Sequence, residues 1–132
     1  MKRLLLTICI LSILASCKKS DENKNTELTG KWKMTDVLSD PGDGSGIFHP
    51  VSTNKYIEFR SDGTLYSNGS LVNNSTEIIE ADSGTYLLAD STFTSYRIFI
   101  DLPLKMHFIQ EGSVLTVNYP CIEPCRARFR KM

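Results

Sequence analysis

The chain has no excess of charge of either sign: 15 Lys and Arg stand against 15 Asp and Glu in 132 residues. A nucleic-acid partner needs a basic footprint to displace the counterions of phosphate, so this balance speaks against one. Histidine is scarce, with His49 and His107 the only two. His107 alternates with Met106 and Phe108, which assigns it to the solvated face of a strand. No Gly-x-Ser-x-Gly elbow occurs, no phosphate-cradling glycine loop opens a helix, and no segment carries a convincing helical period. Glu77 and Glu80 come nearest to an acid–base pair, in a polar stretch where solvated charge is the simpler reading. These absences lead to the expectation of a protein that is not an enzyme and uses neither metal nor cofactor.

What is present begins at the N-terminus. Lys2 and Arg3 precede an apolar run, Leu4 to Leu14, interrupted only by Thr7 and Ser12. That is the layout of a secretory signal, well short of the roughly 20 residues a membrane span requires. Leu14-Ala15-Ser16-Cys17 resembles the bacterial lipobox, whose cysteine is lipidated and becomes the first residue of the mature protein. An ordinary cleaved signal with a chance cysteine is the alternative. The resemblance implies a signal peptide at 1–16, a lipid anchor at Cys17, and a bacterial cell-envelope lipoprotein of the outer membrane, facing the periplasm or the surface. Residues 18–27 contain no apolar side chain, so with Cys17 they read as a flexible tether. Ser20-Asp21-Glu22 is similar to the acidic export signal of some surface-displayed lipoproteins, although a plain solvated linker explains it as well. Loss of residues 1–16 removes Lys2 and Arg3 but no acid, leaving the remainder slightly acidic.

Of the four cysteines, Cys9 leaves with the signal and Cys17 takes lipid. Cys121 and Cys125, three residues apart in an oxidising compartment, most simply close a small disulfide loop, with free thiols or a metal or redox role as the other readings. The domain from Leu28 to Met132, about 105 residues, suffices for one core. Its strands follow from alternation: Gly30 to Thr35 with Trp32 and Met34 on one face, Tyr56 to Phe59 turning through Ser61-Asp62-Gly63 into Thr64 to Tyr66, Gly84 to Leu88, and Phe93 to Ile100. Then come Leu104 to Phe108, Val114 to Tyr119 and a last strand with Ala127 and Phe129 opposite Arg126, Arg128 and Arg130. About eight short antiparallel strands, each apolar on one face, predict an all-β fold, a small up-and-down barrel.

Leu28-Thr29-Gly30-Lys31-Trp32, a Gly-x-Trp after an N-terminal tether, together with an arginine-bearing last strand, resembles the lipocalin-like domain lipoproteins of bacteria. The segment is shorter than most lipocalins and shows no helix after its last strand. The resemblance implies that Trp32 plugs one end of the barrel with Arg126, Arg128 or Arg130 across it. It also implies an interior lined by Met34, Ile57, Phe59, Met106, Phe108, Leu115 and Val117, binding a small apolar or amphipathic molecule. In a barrel this small the same side chains suffice to fill the core. The second expectation is therefore a solid barrel acting through its loops as an envelope interaction or inhibitor protein.

The loop from Asp40 to Gly46, running on to Phe48 and His49, is the candidate rim. Asp40, Asp43 and Ser45 offer oxygen to calcium, but their spacing does not match the calcium-loop pattern, and a glycine-rich crossover is the plainer reading. The polar stretch from Ser67 to Glu77 is the second loop candidate. Arg126, Arg128, Arg130 and Lys131 form either a basic stripe toward anionic lipid or a solvated outer face.

Overall fold

A computed structural model describes residues 27–97 and 103–132. The signal 1–16, Cys17 and the tether up to residue 26 lie outside the described residues. Nine strands follow in chain order: β1 (Gly30–Ser39), β2 (His49–Pro50), β3 (Tyr56–Phe59), β4 (Thr64–Ser67), β5 (Asp82–Leu87), β6 (Thr92–Ser95), β7 (Lys105–Glu111), β8 (Val114–Tyr119) and β9 (Cys125–Lys131). From β3 onward each strand pairs antiparallel with the next, β3 pairs with β1, and β9 returns to pair with β1. The result is a closed eight-stranded up-and-down barrel. The two-residue β2 adds beside β1 at Asp36 and Val37. Closure satisfies the backbone groups that an open edge would leave for another chain.

The alternation read from the sequence sets the faces. β8 buries Leu115, Val117 and Tyr119, while β9 buries Cys125, Ala127 and Phe129 and turns its arginines outward. β1 runs four residues beyond the expected end at Thr35, because the register against β9 shifts between Met34 and Asp36. Such a bulge lets a strand change which residues face inward, so Trp32 and Met34 hand over to Val37, which packs against the core. The strand expected from Phe93 to Ile100 is paired over Thr92–Ser95; residues 98–100 lie outside the described residues.

An even number of antiparallel strands brings both chain ends out at one end of the barrel. At that turn end lie Glu27 and Leu28, Lys131 and Met132, and the short links β3–β4, β5–β6 and β7–β8. Gly63 closes the first of these links at φ 84°, a backbone conformation that favours glycine. The longer described connections are at the opposite, loop end: residues 40–55 (which include β2), 68–81 and 120–124, with residues 96–97 leaving β6 there too.

Candidate functional site

The seven residues expected to line the interior do face inward, and all are buried in one cluster with Trp32, Phe93 and Phe129. The Phe59 ring lies 5.6 Å from Phe108 and 6.4 Å from Phe93, and Phe93 is 6.5 Å from Phe108. Tyr86 meets Phe59 edge-on at 5.2 Å. Centroids at these separations are rings in contact, so β3, β6 and β7 meet through their own side chains.

The turn end is closed by Trp32, whose Nε1 donates to the Leu28 carbonyl at 2.7 Å. The cation across the ring is Lys131, its Nζ 5.3 Å from the ring centre and donating to the Glu27 carbonyl. Arg126 and Arg128, assigned to that position by resemblance, are exposed on the outer wall. The reason is parity. Ala127 and Phe129 take the inward positions of β9 and every arginine must face out, whereas Lys131 stands opposite Trp32 in the register.

The loop end is covered in part by the connection 68–81, the second loop candidate, which reads as polar from composition. Leu71 within it is fully buried, and Val72 packs on the core beside Val51. Asp82 holds the loop from below: one carboxylate oxygen accepts from the Leu71 N–H at 3.0 Å, and the other accepts from Ser95 Oγ at 2.7 Å and the Ser83 N–H at 2.8 Å. Lys55, with no solvent exposure, reaches up from the start of β3. Its Nζ donates to the carbonyls of Ser75 at 2.7 Å and Asn73 at 3.4 Å. Burial pushes the Lys55 ammonium down to about 8, against the pull of the Asp82 carboxylate. Neither residue stood out in the sequence. A lone lysine two residues before an apolar alternation reads as surface, and only the covering loop makes it interior.

In the candidate rim loop the acidic groups serve the loop itself. Asp40 accepts from the N–H groups of Gly42 at 2.7 Å, Gly44 at 3.1 Å and Gly46 at 2.8 Å. Asp43 accepts from the Ser45 N–H at 2.9 Å. Those donors lower both carboxyls, Gly46 and Gly42 contributing most at Asp40 and the Ser45 side chain most at Asp43. The oxygens of Asp40, Asp43 and Ser45 thus hold a turn together, and the rest of the loop carries no further acid. Phe48 leaves the loop and lies 3.7 Å from Arg128 Cζ on the outer wall, and His49 enters β2 on the surface. The Asp40 N–H donates to the Pro124 carbonyl at 2.9 Å, tying this loop to the one bridged by Cys121 and Cys125, whose Cα atoms are 5.9 Å apart.

Large exposed apolar side chains gather at the loop end. Ile47, Ile78, Ile79, Tyr96 and Ile122 all lie there, Ile79 at 83% exposure and Ile122 wholly exposed. The same loops carry Asp40, Asp43, Glu77, Glu80 and Glu123. Arg97 is the basic group among them, paired to Glu80 at 2.9 Å and to Asp82 at 3.9 Å. The described loops of this end are therefore apolar and acidic.

Compared with models of protein families, with curated proteins and with solved structures, the chain matches none.

Proposed function

We propose that the protein is a non-catalytic lipoprotein of the bacterial cell envelope, tethered to the outer membrane through Cys17, whose barrel is solid and whose loop end engages another protein. The observation that carries this reading is the contrast between the two kinds of apolar residue. Those inside are packed ring against ring between Trp32 and Leu71, while five large ones stand exposed at the loop end against Leu87, Ile109 and Met132 elsewhere. Exposed apolar side chains grouped at one end of a domain, with charge among them, favour a contact site there. The chain that precedes Glu27 joins at the turn end, so a tether places the isoleucines on the far side from its attachment. A small apolar ligand held inside, as the lipocalin resemblance implies, requires the Phe59, Phe93 and Phe108 cluster to part.

Two measurements test this together. Native mass spectrometry of the protein extracted from its membrane is expected to give the chain mass plus the acyl anchor and nothing else. A photoreactive residue at position 79 or 122 is expected to yield a discrete cross-linked protein in cells, and one at position 109 on the barrel wall none. A stoichiometric small-molecule adduct, or cross-linking indifferent to position, overturns the proposal.

A further inference from the structure

The two strands that close the barrel are unlike the charge-balanced chain they belong to. β1 contributes Lys31 and Lys33, β9 contributes Arg126, Arg128, Arg130 and Lys131, and the one acid among them is Asp36. Because Trp32, Met34, Ala127 and Phe129 occupy the inward positions, five of these cations, Lys31, Lys33, Arg126, Arg128 and Arg130, are forced onto one outer wall, while Lys131 turns to the Trp32 ring at its end. Lys33 stands directly opposite Arg130 in the register, an arrangement that costs stability in a sheet. Among the described residues, their other cross-strand neighbours, Tyr56 beside Lys33 and Val114 beside Arg130, carry no charge to relieve it. The outward residues of β8 on the other side of β9 are Val114, Thr116 and Asn118, all uncharged. Asp36 faces Arg128 and offsets one of the charges, its carboxylate also accepting from Thr35 Oγ at 2.7 Å, so the wall stays net positive. The ion pairs formed among the described residues belong to Arg60 and Arg97. At the margin Lys31 faces Glu58, with its Nζ 4.7 Å from the Tyr56 ring. Contacts with rings, such as Arg128 on Phe48, hold a cation in place without neutralising it.

Alternate residues along a strand are about 7 Å apart and neighbouring strands about 4.8 Å apart. Arg126, Arg128, Arg130 and Lys33 therefore form an extended row rather than a pocket converging on one anion. The row ends at Lys131, which holds the Glu27 carbonyl, so the chain leading back toward Cys17 departs from its end. We propose that the β1–β9 wall is a docking face for the anionic headgroups of a lipid surface, on which the barrel lies with its loop end left open. The proposal goes beyond the protein-binding role of that end and stands without it. An acyl anchor and a basic patch are two signals that reinforce each other.

The test uses the full chain carrying Cys17→Ser, so that no acyl group is attached, mixed with vesicles of phosphatidylcholine alone or with phosphatidylglycerol added. The parent is expected to prefer the anionic vesicles and to lose that preference at high salt. Each basic residue near such a surface contributes about fivefold, so Arg126→Gln, Arg128→Gln and Arg130→Gln together are expected to weaken anionic binding by about a hundredfold. Binding to the neutral vesicles, to which the apolar N-terminal run contributes equally in both chains, should not change. The single Lys33→Gln variant, which removes the opposed charge and is expected to melt no lower than the parent, should lose about fivefold. Equal partitioning of the parent between the two vesicle types, or an anionic preference left undiminished by all four substitutions, overturns the proposal.

Discussion

Lys55 offers the sharpest test of how the loop end is built. Its ammonium titrates near 8 in the folded protein against an ordinary 10.5. With the folded value the lower of the two, the unfolded chain binds the extra proton between those limits, and stability from this group rises with pH there. At pH 7 both states are charged and the cost of burying the ammonium is carried in full. By pH 9.5 the folded lysine is mostly neutral and the unfolded one still mostly charged, a gain of about 2 kcal/mol at about 1.4 kcal/mol per pKa unit. Lys55→Met keeps the chain length and cannot titrate. Urea unfolding of both proteins at pH 7, 8, 9 and 9.5 should show the wild type gaining about 2 kcal/mol on the variant across the range. Tyr119 and Tyr86, both raised by burial, destabilise only as the unfolded tyrosines ionise near pH 10, and do so equally in both proteins. A difference that stays flat from pH 7 to 9.5 would refute the argument that Lys55 is charged and enclosed beneath residues 73–75.

Three further outcomes are expected. A Cβ at Gly84 would sit 2.0 Å from the Thr94 carbonyl oxygen, so Gly84→Ala should lower the unfolding free energy by about 3 kcal/mol in urea titrations as β5 is pushed off β6. The Tyr119 hydroxyl is buried with no hydrogen-bond partner among the described residues, so Tyr119→Phe should raise stability by about 1 kcal/mol, seen as a thermal midpoint about 4 °C higher. The bridge between Cys121 and Cys125 closes a loop with a sequence separation of 4, and chain entropy limits its contribution to about 2 kcal/mol. Replacing both cysteines by serine should therefore cost no more than that in a urea titration and leave a folded barrel by circular dichroism.

Some of the site was legible beforehand and some was not, for reasons visible in particular residues. Leu115, Val117 and Phe129 could be assigned to the interior because each alternates with polar neighbours, and parity then fixes their face. The same parity rule excludes Arg126 and Arg128 from the end of the barrel, yet resemblance to a family that carries an arginine there pointed to them. Lys131 takes that place because register, which no local pattern encodes, sets it opposite Trp32. The continuation of β1 to Ser39 was hidden by its bulge, where alternation fails for one residue. Lys55 and Asp82 escaped notice because each becomes interior only when the 68–81 connection folds over them, through contacts spanning up to 20 residues of chain.

By itself the sequence determined the fold class, the number of barrel strands and the disulfide pair, since alternation, turn residues and cysteine spacing are local properties. Only the tertiary structure decided what occupies the ends of the barrel and which charges share a wall. A cation becomes a plug, a loop anchor or part of a basic row according to the strand that lies next to it. Barrel closure sets that neighbour, bringing β9, at the far end of the domain, against β1 at its start.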